Sequence, residues 1–98
     1  MVDVEREGPV ARILLNRPEK ANALNSEVLS ELRQKLEDLA PDGSLRAVVL
    51  AGRGKTFCGG ADVSELKALS AATAGAFVER IHQVCKAIRD LPVPVLRG

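Results

Sequence analysis

One stretch constrains this chain more than any other: an amphipathic helix that leads directly into a strand apolar at every position. Val28, Leu29, Leu32, Leu36 and Leu39 fall on one helical stripe, while Glu27, Glu31, Arg33, Lys35, Glu37 and Asp38 cover the other face. Asn25 or Ser26 suits the helix N-cap, and Pro41-Asp42-Gly43-Ser44 ends it. Ala47-Val48-Val49-Leu50-Ala51 follows, a continuous apolar run that reads as a strand buried on both faces. Such a strand needs layers above and below it, which points to an α/β sheet.

The flanking segments extend the pattern. Val2 to Glu7 and Val10 to Leu15 alternate around Gly8-Pro9, as two strands of a hairpin do. Asn16 to Lys20 is a turn, because Pro18 pushes Arg17 out of the helical region. Asp62-Val63-Ser64-Glu65 resembles a capping box that opens a short helix to about Leu69. Ala74, Phe77, Val78, Ile81, Val84, Cys85, Ile88 and Leu91 then mark a long amphipathic helix, which Pro92 stops. Val93-Pro94-Val95-Leu96 begins another strand. Residues 1–98 thus read as part of one domain, of order ββα-β-loop-ααβ, cut off before the fold is complete. A stripe as broad as Val78, Ile81, Val84 and Ile88 is expected to make such a chain poorly stable or self-associating.

Composition narrows the function classes. The chain has 98 residues, and 14 basic against 13 acidic side chains leave +1, which gives no basic face for nucleic acid. Phe57 and Phe77 are the only aromatics, so the core is aliphatic and base-stacking platforms are missing. No stretch approaches the ~20 apolar residues of a membrane span, and the start lacks the features of a signal peptide. Cys58 and Cys85 are too few for a disulfide framework, and a cytoplasmic setting with two free thiols is expected.

Candidate chemistry concentrates in one loop. Gly54-Lys55-Thr56 is not a phosphate loop, because Val49 stands where that pattern needs glycine. His82 lies on the solvated side of the long helix, and no acidic or cysteine partner stands at metal-ligand spacing. Cys85 reads as core, and Cys58, in the glycine-rich loop, is the more reactive thiol of the two. Phe57-Cys58-Gly59-Gly60-Ala61-Asp62 leaves backbone amides bare ahead of a helix, where they suit a developing oxyanion. The alternative is a tight turn with Asp62 as N-cap.

Two segments in register resemble the crotonase superfamily, the enoyl-CoA hydratase/isomerase family. The first is Leu14-Leu-Asn-Arg-Pro-Glu-Lys-Ala-Asn-Ala-Leu-Asn25; the second is Ala47 to Gly52 with Phe57-Cys-Gly-Gly-Ala-Asp-Val-Ser-Glu-Leu66. Leu91-Pro-Val-Pro-Val95 is a weaker third match. The resemblance implies a fold of repeated ββα units and an acyl-CoA or enoyl-CoA thioester as substrate. It implies no further cofactor and no metal, no nucleic-acid or membrane partner, and a tendency to form homo-oligomers. It places coenzyme A against Lys20, Ala21 and Ala23, and the thioester along Gly59, Gly60, Asp62 and Val63. The Ala61 amide matches one oxyanion-hole donor, the catalytic position that this chain holds. Both segments follow strand ends and should share one side of the sheet, with Lys20 and Ala61 on the same face.

The implied reaction is addition of water to a 2-enoyl-CoA; isomerisation and other thioester chemistry use the same hole. The second donor and the acid/base carboxylates match positions past Gly98, so these 98 residues alone are expected to show no turnover. The rival reading is a catalytically incomplete coenzyme A-binding or interaction module. Arg97 departs from the family pattern, which has a small apolar residue in that strand, and a buried charge there would be costly.

Overall fold

Gly8 takes φ 59 and, with Pro9, closes a hairpin between β1 (Val2–Glu7) and β2 (Val10–Leu15). The strands pair antiparallel, Val2 opposite Leu15 and Glu7 opposite Val10. The structure, a computed structural model, describes every residue except Gly59 and Ala61, and of Val63, Ser64, Glu65, Ala71 and Ala72 only the backbone.

Helix α1 (Ser26–Leu39) starts where the Asn25 side chain accepts the Val28 amide at 2.8 Å. Its buried residues are Val28, Leu29, Leu32, Leu36 and Leu39, the stripe read from the sequence. The chain then returns as β3 (Ala47–Gly52), parallel to β2 with Leu15 opposite Gly52. Helix α2 (Val63–Ala68) and helix α3 (Ala71–Asp90) lead to β4 (Val95–Arg97), parallel to β3. Ser70 and Thr73 form a capping box at the start of α3, which the sequence pattern does not mark. The sheet order is β1-β2-β3-β4.

The core lies on one face of this sheet. Val2, Ala11, Ile13, Leu15 and Val48 pack against the α1 stripe and against Phe77, Val84 and Leu91. Its aliphatic character is as expected, with Phe77 as the one fully enclosed ring. Among the described residues no helix is long and apolar enough to cross a membrane.

Four expectations are corrected. Strand β3 is not buried throughout: Val48 and Ala51 are, but Ala47, Val49 and Leu50 are half-buried. The described helices pack on the Val48 face, so Val49 on the other face gains less cover. Cys85 is exposed, not core. It follows Val84, the residue that points inward, and shares its flank with Val78, seven residues earlier and 48% exposed. Strand β4 starts at Val95 rather than Val93, because Pro94 has no N–H for the ladder, although its carbonyl accepts the Val48 amide at 3.0 Å. Arg97 is exposed, with its guanidinium 4.9 Å from the Phe57 ring centroid, so no charge is buried in that strand.

The turn after α1 is held by a carboxylate. Asp42 accepts from the Ser44 hydroxyl at 2.6 Å and the Ser44 amide at 2.9 Å, and pairs with Arg6 at 2.5 Å. These donors, Ser44 first, lower its pKa from 3.8 to about 2. A depressed carboxylate adds stability that is present above its unfolded pKa and lost as pH falls through about 2. A carboxyl NMR titration should therefore place Asp42 near 2, and Ser44→Ala should move it back toward 3.8. A midpoint unchanged by Ser44→Ala would remove the hydroxyl as the main cause.

Candidate functional site

Because β2 and β3 are parallel and in register, the loops that follow them leave the same edge of the sheet. This carboxyl edge is where ligands gather in open α/β sheets. The first loop turns through a single 3-10 turn at Pro18–Lys20, with proline at its start and Arg17 at φ −134 and ψ 54. Ala21 and Asn22 then both adopt left-handed backbone, φ 52 and 55. Asparagine tolerates that region better than most residues.

The Asn22 side chain accounts for the turn. It is 1% exposed, and its Oδ1 accepts the Arg17 amide at 2.7 Å. Its Nδ2 donates to the carbonyls of Arg53 at 2.9 Å and Thr56 at 2.6 Å. One amide group thus closes the first loop and ties it to the start of the glycine-rich loop.

Gly52 and Gly54 fit under that tie. A Cβ at Gly52 would overlap the Phe57 carbonyl and lie 2.6 Å from Asn22 Nδ2. A Cβ at Gly54, where φ is +83, would meet Pro18 at 3.1 Å. The loop's exit is held separately. Leu24 donates to the Gly60 carbonyl at 2.7 Å, and its own carbonyl accepts the Asp62 amide at 2.8 Å. The Arg17 guanidinium donates to the Ala23 carbonyl at 2.9 Å and lies 3.0 Å from the Asp62 carboxylate. Both side chains of this pair are 13% exposed.

The expected site residues fall as follows. Lys20 and Ala21 are exposed on the rim of the first loop, and Ala23 is half-buried behind them. Gly60 is exposed at φ +86, Asp62 is half-buried, and Val63 opens α2. Gly59 and Ala61 lie outside the described residues, as does the Glu65 side chain of the expected capping box. The two segments meet at Leu24, Gly60 and Asp62, while the Lys20–Ala61 half of that expectation involves a residue not described. Cys58 is half-buried against the core, and His82 is exposed. Among the described residues no three His, Cys, Asp or Glu side chains are grouped to hold a metal ion.

Arg17 and Asn22 are site residues that the sequence alone does not reveal. Each lies inside the first segment, but their partners outside it are 31 to 45 residues away and no local spacing marks them.

The pattern of the Enoyl-CoA hydratase/isomerase family matches residues 5–97. The chain belongs to the enoyl-CoA hydratase/isomerase family. The "Probable enoyl-CoA hydratase echA6" of Mycobacterium bovis is 41% identical over 96 residues, 98% of this chain and 37% of that protein. The short-chain-enoyl-CoA hydratase of Clostridium acetobutylicum is 36% identical over 97% of this chain and 37% of its own length. The crystal structure of enoyl-CoA hydratase from Bacillus anthracis superposes with a TM-score of 0.93 at 32% identity, covering 98% of this chain and 38% of that one. The chain therefore has the crotonase fold and spans a little over a third of the length of the relatives it matches.

Proposed function

We propose that this chain carries the coenzyme A thioester-binding side of an enoyl-CoA hydratase site. The observation that carries the reading is the pair of backbone bonds from Leu24 to Gly60 and Asp62. They join the two segments that the family resemblance assigns to coenzyme A into one surface at the carboxyl edge of the sheet. Backbone around Lys20, Ala21 and Ala23 receives the coenzyme A moiety, and Gly59, Gly60, Asp62 and Val63 flank the thioester. The Ala61 amide donates to the thioester oxygen. In hydration, water oxygen bonds to the β-carbon as a base takes one of its protons, the double-bond electrons move toward the carbonyl oxygen, and on their return a proton joins the α-carbon. An amide aimed at that oxygen stabilises the charge it gains, with about 2.7–4 kcal/mol at stake per donor.

Titration calorimetry with crotonyl-CoA tests the reading. Wild-type chain should bind it, and Gly60→Val should weaken binding about tenfold or more. Gly60 sits at φ +86 with nothing within 4 Å of where a Cβ would stand, so valine strains the loop and projects into open space. A left-handed L-residue costs roughly 1–2 kcal/mol, and ~1.4 kcal/mol is tenfold in affinity. Equal affinity in both, or loss of enoyl-thioester absorbance that survives Gly60→Val, would overturn the assignment.

A further inference from the structure

The glycine-rich loop is fastened at its two ends by different chemistry. Its start is held by a neutral group: the Asn22 amide binds the Arg53 and Thr56 carbonyls, and Gly52 leaves room for them. Its exit is held by charge: Arg17 faces Asp62 at 3.0 Å. We propose that the Arg17–Asp62 ion pair straps the exit of the glycine-rich loop to the first loop, which makes Arg17 a positioning residue for the thioester-binding backbone. What the loop binds rests on the function proposed above; the strap rests on geometry alone.

Arg17 is placed to do this. Its backbone amide is held by Asn22 Oδ1, and its carbonyl accepts the amides of Lys20 at 3.0 Å and Asn22 at 2.8 Å. The guanidinium therefore extends from a fixed base, with one nitrogen shared between the Ala23 carbonyl and the Asp62 carboxylate. Ala23 adjoins Leu24, and Asp62 is the residue whose amide Leu24 accepts, so the ion pair and the backbone bridge act on the same few atoms. At 13% exposure each charge has lost most of its water, and removing one leaves the other poorly solvated. The backbone hydrogen bonds of Leu24 with Gly60 and Asp62 join two loops rather than two strands, and bridges of that kind open locally far more readily than a sheet interior.

Residue-resolved amide exchange on the chain separates a local strap from general stabilisation. The Leu24 and Asp62 amides report the exit, and the Leu29 and Val48 amides, bonded to Asn25 and Pro94, report the fold. In Arg17→Ala and in the near-isosteric Asp62→Asn, exchange at Leu24 and Asp62 should speed up about 10- to 100-fold, with Leu29 and Val48 changing less than about twofold. The double variant should open no faster than the faster single, and Arg17→Lys should fall between Arg17→Ala and wild type. Crotonyl-CoA affinity should weaken in the same order. Unchanged exchange at Leu24 and Asp62, or acceleration at all four amides together, would overturn the strap. Exchange as expected in a wild-type chain that takes up no crotonyl-CoA would leave the strap standing and remove the functional reading instead.

Discussion

Gly52→Ala is expected to destabilise the fold by about 3 kcal/mol or more, at the upper end of what overpacking by one methyl does. The added Cβ would overlap the Phe57 carbonyl and come within 2.6 Å of Asn22 Nδ2 and 2.7 Å of the Thr56 carbonyl. None of these is the free end of a flexible side chain. Two are backbone oxygens, and the third is an amide already committed to two bonds. Relief would need the loop to lift from the end of β3, which breaks the Asn22 ties, or β3 to shift against β2, where Gly52 stands opposite Leu15. Gly75→Ala in α3 is the matched control. Nothing lies within 4 Å of its Cβ position, so alanine should stabilise by roughly 0.5–1 kcal/mol through helix propensity. Urea unfolding of both variants gives the comparison, with opposite shifts in midpoint at similar slope. A Gly52→Ala midpoint equal to wild type would mean that the loop is not seated against β3 as described.

The contrast between these glycines shows what can be read from sequence. The order of elements is legible because each has a strong period and a chemical stop. The Val28–Leu39 stripe, Pro41, the run from Ala47 and Pro92 all act through neighbours within a turn or two. The resemblance, carried by Leu14 to Asn25 and by Ala47 to Gly52 with Phe57 to Leu66, brings the two loops together from sequence alone. What stays hidden depends on partners distant in sequence. Asn22 reads as one more polar turn residue until Arg53 and Thr56 are placed over it. Arg17 reads as a residue displaced by Pro18 until Asp62 arrives opposite it. Cys85 misleads for a smaller reason: a residue next to the centre of an apolar stripe is about 100° off it, and whether that flank is covered depends on the neighbouring helix. Arg97 reads as a costly charge if β4 is enclosed, and as an ordinary exposed cation beside Phe57 where β4 is open.

Asn22→Asp is expected to have the other large effect, and to have it only where the new carboxyl is ionised. The substitution changes almost no volume and keeps the Oδ1 that accepts the Arg17 amide. It replaces the donor that faces the Arg53 and Thr56 carbonyls, at 2.9 and 2.6 Å, with an oxygen. At a site 1% exposed, three oxygens would then converge with no proton between them. Burying such a charge, and leaving two carbonyls unpaired, should cost about 3 kcal/mol or more at neutral pH. The fold can relieve this by protonating the carboxyl, whose O–H then satisfies one of the two carbonyls, so its folded-state pKa must lie above the unfolded value of ~3.9. A raised folded pKa means stability that is present below ~3.9 and lost as pH rises through the folded value. The deficit of Asn22→Asp relative to wild type should therefore be large at pH 7 and shrink toward pH 4. Asn22→Gly keeps the left-handed backbone but loses all three side-chain bonds, so its deficit, about 2–3 kcal/mol, should not depend on pH over that range. Chemical unfolding of the three proteins at both pH values separates the cases. A pH-independent deficit in Asn22→Asp would mean that the Asn22 amide does not face two carbonyls, and the tie between the two loops would have to be sought elsewhere.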